Sequence, residues 1–143
     1  MPVELVTETS DELLKAMEDL IPQLSRSAPP LTEAELKGLV DQKSVYLFIF
    51  RGETDGAILG MLSLATFIIP TGGRGWVEDV VVDEAARGQG GGQALVEAAL
   101  DKAREIGLKT VDLTSRPHRE AANRLYVRCG FEPRETNIYR YQV

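Results

Sequence analysis

Apolar positions along this chain change their spacing from threes and fours to twos and back, and the changes mark out its elements. Leu13, Leu14, Met17, Leu20 and Ile21 recur at helical intervals behind Ser10-Asp11-Glu12, where a hydroxyl caps the first turn and carboxylates meet the positive end of the helix dipole. Pro22 falls near the end of this helix, residues 25–30 form a loop, and Thr32-Glu33-Ala34-Glu35 has the spacing of a capping box for a second helix reaching about Val40. Residues 3–7 read as a strand before the first helix. Residues 44–50 are a second strand, Gly52-Glu53-Thr54-Asp55-Gly56 a hairpin turn, and residues 57–69 a long strand in which Gly60 marks a bulge or a close backbone approach. Pro70-Thr71-Gly72-Gly73-Arg74-Gly75 turns the chain.

The second half opens on Val77-Glu78-Asp79-Val80-Val81-Val82, short and β-branched as a buried strand should be. From Gly90 the pattern becomes helical, with Leu95, Val96, Ala99, Ala103 and Ile106 on one face and Gly107 where a C-terminal cap belongs. Residues 109–114 then read as a strand, 117–129 as a helix and 136–141 as a closing strand. The order βααβββαβαβ predicts an α/β fold of the α+β type, a mixed sheet with helices on both faces. Residues 1–143 read as a single domain without internal repeats.

Between the strand and the helix lies Arg87-Gly88-Gln89-Gly90-Gly91-Gly92. Glycines at the mouth of a helix let a ligand reach the backbone, and the first N–H groups of the helix have no acceptor within it. Such a loop suits a pyrophosphate. It is no P-loop, because Gly91-Gly92-Gln93-Ala94 lacks the lysine and hydroxyl that close one, and a dinucleotide fingerprint starting at Gly88 needs glycine where Gln93 stands.

Arg87, Gly90 and Gly92 in the pattern Arg-x-x-Gly-x-Gly after a strand resemble motif A of the GNAT superfamily of acetyl-CoA-dependent N-acetyltransferases. Ala121-Ala122-Asn123-Arg124-Leu125-Tyr126, followed by Cys129-Gly130-Phe131, is similar to the helix and ending that close the fold in that family. The likeness is strong from about Trp76 to Phe131; before that, only the arrangement of elements agrees. It implies a GNAT fold, a central mixed β-sheet of about six to seven strands flanked by about four helices, and acetyl-CoA as cosubstrate. It further implies that the backbone of Val80, Val81 and Val82 pairs with the pantetheine arm and that the phosphates lie on Arg87, Gly88, Gln89, Gly90, Gly91, Gly92 and Gln93. An N–H near Val80 or Val81 would meet the oxyanion. Tyr126 stands where the family carries its general acid. Asn123, one turn earlier, shares its face and can hydrogen-bond the cofactor. The chain departs from the family's Asn-x-x-Ala-x-x-Leu-Tyr pattern in having Arg119 at the first position.

Acetyl transfer to an amine needs a base, a polarised carbonyl and a proton for the thiolate. Glu78 and Asp79 are adjacent carboxylates in an apolar strand, and alternation sends them to opposite faces. Glu78 is the candidate base, directly or through water, with Asp79 positioning or structural; the alternative for both is an ion pair with Arg74 or an arginine of the last helix. His118, the only histidine, reads as capping or surface.

The composition, 43% hydrophobic and 27% charged, suits one globular domain with a sizeable core. No stretch is apolar and long enough to span a bilayer, and the acidic start lacks a signal peptide's basic region, so a soluble cytoplasmic protein without a membrane partner is expected. The single cysteine, Cys129, excludes an intramolecular disulfide and a cysteine-rich metal site, and no metal is expected. Residues 1–101 carry 7 Lys+Arg against 17 Asp+Glu, and residues 102–143 carry 9 against 5, so local charges of −10 and +4 make up the net −6. An acidic chain is a poor nucleic-acid binder. Arg87, Arg116, Arg119, Arg124 and Arg128 are candidate partners for the coenzyme A phosphates, although Arg124 and Arg128, spaced i,i+4, read better as a solvated helix face.

For the acceptor, Trp76-Val77-Glu78-Asp79-Val80-Val81-Val82 resembles the corresponding strand of glucosamine-6-phosphate N-acetyltransferases, while Thr114-Ser115-Arg116 stands where those enzymes carry an acidic residue. The expected reaction is direct transfer, in a ternary complex, to the primary amine of a small molecule; protein acetylation and noncatalytic acetyl-CoA binding are the alternatives. Residues 20–43 and 70–75 are expected to shape the acceptor pocket. The closing strand at 136–141 offers an edge through which two copies can form a homodimer.

Overall fold

The computed structural model describes residues 2–143 and shows why Tyr46-Leu47-Phe48-Ile49-Phe50 is apolar without alternation: the strand it forms is covered on both faces. The elements in chain order are β1 (Val3–Leu5), α1 (Asp11–Leu24), α2 (Glu33–Asp41), β2 (Val45–Arg51), β3 (Ile58–Ile69), β4 (Gly72–Val82), α3 (Gly91–Ile106), β5 (Thr110–Asp112) and α4 (Glu120–Arg128). Among the described residues the strands make one sheet in the order β1-β2-β3-β4-β5, antiparallel except for the parallel pair β4–β5. Leu47, Ile49 and Met61 point to one face, where they pack with Leu13, Met17 and Leu20 of α1 and Leu36 of α2. Phe48, Phe50, Leu62 and Leu64 point to the other, against Leu95, Val96 and Ala99 of α3 and Tyr126 of α4. The period-2 alternation of strands thus divides the core into two layers.

Both N-terminal helices begin as the capping residues dictate. Ser10 Oγ accepts from the Leu13 N–H at 3.1 Å, and Thr32 and Glu35 exchange side-chain-to-backbone bonds at 3.1 and 3.0 Å. Pro22 lies in the last turns of α1, inside the helix. Arg51 holds three elements together: its guanidinium donates to Glu4 of β1, to both carboxylate oxygens of Glu12 in α1, and to the Gly56 carbonyl in the β2–β3 turn. The hydrogen bond from Arg51 lowers the pKa of Glu12. At Gly60, a Cβ would lie 3.1 Å from the Val81 carbonyl oxygen, the close approach expected there, and a register irregularity falls beside it at Leu59.

Two expectations need correction. The segment 70–75 is not a long turn: β3 runs to Ile69 and β4 starts at Gly72, leaving Pro70-Thr71 as the connection. The glycines serve packing within a strand, since a Cβ at Gly75 would meet Leu108 at 2.8 Å and Leu64 at 3.2 Å. Secondly, residues 136–141 form no strand, and the sheet has five strands where six to seven were expected. The segment has strand-forming residues, but pairing requires an edge, and the chain after Phe131 does not return to one; Tyr139 and Tyr141 are 87% and 90% exposed. No helix among the described residues is long and apolar enough to cross a membrane.

The start of α3 is seated against β2 through Gly91, where a Cβ would fall 2.9 Å from two ring carbons of Phe50. Gly91→Ala should therefore lower the unfolding free energy by about 1–3 kcal/mol through overpacking, read as an earlier urea midpoint at unchanged slope. A midpoint equal to the parent's would mean that the helix start is free to shift.

Candidate active site

The centre of the sheet opens at β4. On one side β4 pairs with β3 along most of its length, whereas on the other it pairs with β5 only from Arg74 to Trp76. β5 ends at Asp112, opposite Trp76, and the β4 backbone from Val77 to Val82 has no ladder partner on that side among the described residues. The β3 ladder is itself broken here: Ser63 pairs with Glu78 and Met61 with Val81, so that Asp79 and Val80 stand opposite Leu62 alone. This is a β-bulge. Asp79 takes φ of 49°, the only positive φ of a non-glycine residue among those described. Val81 is buried beside α1, while Val80 and Val82 pack against the α3 layer, so side chains anchor the strand and leave its backbone edge free.

The bulge also changes the reading of the two carboxylates. Strict alternation would put Glu78 and Asp79 on opposite faces, one of them inside; instead both are exposed. Neither is ion-paired among the described residues. Arg74, expected as a partner, donates to the Gly73 carbonyl and to Thr71 Oγ1. Glu78 is therefore accessible to solvent, which a base acting directly or through water requires.

At the end of β4, Asp83 accepts from the Ala85 N–H at 2.8 Å and starts a 3-10 turn, Glu84–Ala86, whose Ala86 is buried. The glycine loop follows, and its residues divide into two kinds. Gly88 and Gly90 have φ of 85° and 76°, and a Cβ on either would meet nothing within 4 Å. They set the backbone path and leave open space in front of it. Gly91 and Gly92 are packing positions, closed by Phe50 at 2.9 Å and by Leu125 of α4 at 3.0 Å. Gly90 caps α3 in the left-handed conformation with no side chain over the helix end, leaving the Gly91, Gly92 and Gln93 N–H groups without helical acceptors. A pyrophosphate fits this end: open space, free donors and the positive pole of a 16-residue helix coincide. The Gln89 N–H is bonded to the Ala86 carbonyl at 3.2 Å. The Gln93 side chain turns along the helix to Glu97 at 3.0 Å, and Arg87 extends into solvent 3.6 Å from Glu84.

Tyr126 comes to the same layer from α4. It is 7% exposed, its ring meets Phe131 edge-on with centroids 6.0 Å apart, and its hydroxyl has no hydrogen-bond partner among the described residues. Burial raises its pKa above the ordinary tyrosine value; the Arg119 charge pulls the other way, and Cys129 adds to the rise. The group thus stays protonated at neutral pH. Asn123, expected on the cofactor, uses its amide to brace the start of α4, donating to the Arg116 carbonyl at 3.1 Å. Arg116, Arg119, Arg124 and Arg128 are all exposed, and none is ion-paired among the described residues, as a solvated face requires. His118 is a surface residue just ahead of the helix. Cys129 packs against the α3 layer with its thiol pKa raised by burial, in keeping with a small core residue.

One polar atom went unrecognised in the pattern of residues. Ser115 Oγ, three positions beyond β5, is the only buried side-chain oxygen or nitrogen without a partner among the described residues. Only its position in Thr114-Ser115-Arg116, after the strand that flanks the opening, pointed to it. No cluster of His, Cys, Asp and Glu with metal-binding geometry occurs among the described residues.

Comparison with known proteins agrees with this geometry. The model of the acetyltransferase (GNAT) family matches residues 12–131. The chain is 35% identical over 141 residues to a glucosamine 6-phosphate N-acetyltransferase of Trypanosoma brucei brucei, covering 93% of this chain and 90% of that one. It is 32% identical over 133 residues to glucosamine 6-phosphate N-acetyltransferase 1 of Oryza sativa subsp. japonica, covering 85% of this chain and 76% of that one. A solved acetyltransferase structure from Trypanosoma brucei superposes with a TM-score of 0.78 at 28% identity, covering 98% of both chains. The unpaired edge of β4, the glycine loop at its end and these likenesses lead to one identification: the chain belongs to the GNAT family and is an acetyl-CoA-dependent N-acetyltransferase.

Proposed function

We propose that this enzyme, working in the cytoplasm, acetylates the primary amine of a phosphorylated amino sugar by direct transfer in a ternary complex. The end of the β4–β5 ladder at Trp76 carries the reading, supported by the bulge at Asp79, the exposed Glu78 and the uncapped N-terminus of α3 that follows β4 in the chain. The relatives named for glucosamine 6-phosphate acetylation support the acceptor class.

Acetyl-CoA supplies an activated thioester acyl group. The N–H groups at the start of α3 hold its pyrophosphate, with Arg87 adding charge, and the β4 backbone from Val80 to Val82 accepts the pantetheine arm as an added strand. Direct transfer needs the acceptor amine neutral, so Glu78 receives a proton from the ammonium or from a water between them. A peptide N–H at Val80 or Val81 stabilises the oxyanion as it forms. Tyr126, kept protonated by burial, donates to the departing sulfur. Asn123 positions the Tyr126 helix, and Asp79 fixes the bulge. A second reading is acetylation of a protein amine, for which the exposed Glu78 and Asp79 leave room.

Thiol release measured across amino-sugar phosphates, amino acids, polyamines and lysine peptides tests the acceptor class. The highest kcat/KM belongs to an amino-sugar phosphate if the proposal holds; preference for peptides would establish the second reading instead. Tyr126→Phe keeps the buried ring and should cut kcat by about 10²-fold or more with acetyl-CoA affinity unchanged; unchanged turnover would remove the tyrosine as the acid. Glu78→Gln should cut kcat/KM by about 10²-fold or more with acetyl-CoA affinity unchanged, and unchanged turnover would exclude Glu78 as the base.

A further inference from the structure

Trp76 is the only tryptophan of the chain, and it belongs to neither apolar layer. Its place on the sheet explains why. Gly75 and Val77, which flank it in β4, both turn to the α3 layer: a Cβ on Gly75 would meet Leu64 at 3.2 Å and Val111 at 3.3 Å, and Val77 is buried there. Alternation therefore sends Trp76 to the opposite face. The α1 layer occupies that face at Met61 and Val81, past the bulge, and Trp76 remains half-buried outside it. Pairing with β3 is regular up to Glu78, so Arg74, Trp76 and Glu78 share this face in three successive rows. The rows continue into β5, where Asp112 lies beside Trp76. Val111 and Leu113 pack in the α3 layer, so Asp112 between them faces the same way as Trp76. Asp112 is half-buried and forms no ion pair among the described residues. In its own row the indole has small Ala65 on one side and Asp112 on the other, so no bulky neighbour stands beside it.

We propose that the acceptor lies along this face with its ring flat on the Trp76 indole, its amine at Glu78, a hydroxyl at Asp112 and its phosphate at Arg74. The assignment rests on the reading of the acceptor as an amino-sugar phosphate, and it makes Trp76 the residue that fixes the acceptor's orientation. An indole offers a large, rigid apolar surface, which suits the C–H face of a sugar ring while the hydroxyls at its rim reach polar groups. The charges along β4 give the direction. Carboxylates stand at Glu78 and Asp112, and a guanidinium at Arg74, where the Gly73 carbonyl and Thr71 Oγ1 take two of its five N–H groups. Arginine is well matched to phosphate. At about 3.4 Å per residue, Glu78 and Arg74 are about 14 Å apart along the strand with Trp76 midway, room for one ring and the side chains that hold its two ends. The reverse placement would set the phosphate against two carboxylates and the ammonium against a cation.

Because the chain has one tryptophan, its fluorescence reports on this face alone. With coenzyme A present, glucosamine 6-phosphate should change the emission of the parent protein saturably. Trp76→Ala should raise the KM for glucosamine 6-phosphate by about tenfold or more with acetyl-CoA affinity unchanged, and Trp76→Tyr should recover most of that loss. Arg74→Gln should raise the same KM by about tenfold while leaving that of unphosphorylated glucosamine unaltered. Turnover of glucosamine 6-phosphate with the emission unmoved, or an unchanged KM in a folded Trp76→Ala variant, would overturn the placement on Trp76. Equal losses for glucosamine and its 6-phosphate in Arg74→Gln would overturn the phosphate contact. Turnover of a different amine alone, with that amine moving the emission, would instead overturn the amino-sugar phosphate reading and keep Trp76 as the acceptor's floor.

Discussion

The end of the β4–β5 ladder at Trp76 is the constraint on which the rest of the structure turns. Backbone N–H and C=O groups inside a protein must find partners, and a strand at the middle of a sheet normally finds them on both sides. Here one side of β4 is withheld from Val77 to Val82, and the bulge at Asp79 interrupts the other. The fold tolerates this because the side chains of the same strand are held in two apolar layers, Val81 with α1 and Val77 with α3. Packing fixes the strand while its edge stays available to a ligand.

The glycine loop completes the site through a division of labour that its composition conceals. Gly88 and Gly90 supply conformations with positive φ and clear space, whereas Gly91 and Gly92 let α3 approach Phe50 and Leu125. The second pair sets where the helix begins, and the first decides what its free N–H groups face. Tyr126 has a comparable double attachment, its ring in the core and its hydroxyl unclaimed by other described residues. Burial that stabilises the fold also keeps the phenol protonated.

Local signals were legible in the sequence wherever they report on local physics. Ser10 and the Thr32–Glu35 box placed the first two helices, Gly107 ended α3 as a left-handed cap, and the continuous apolar run at 45–50 became the doubly covered β2. What escaped depends on distant partners. The glycines at 72–75 looked like a turn because their packing against Leu108 and Leu64 is invisible along the chain. Glu78 and Asp79 were assigned opposite faces because a bulge breaks the period on which that assignment rests. The closing strand failed for the same reason: residues 136–141 carry the propensity, but no edge of this copy receives them. Of the candidate site, the motif strand, the loop and Tyr126 come together in one layer, while Asn123 and Gln93 are occupied by bonds within the protein.

We propose that the N-terminus of α3 receives the phosphates of acetyl-CoA beside the free edge of β4. Calorimetric titration of acetyl-CoA into the parent protein and into Gly90→Asp tests it most directly, since aspartate tolerates the left-handed conformation and suits a helix cap while placing an anion in front of the free N–H groups. The account predicts one site per chain in the parent and at least about tenfold weaker binding in the variant, roughly 1.4 kcal/mol. Equal affinity in the two proteins, or no binding to the parent, would contradict it.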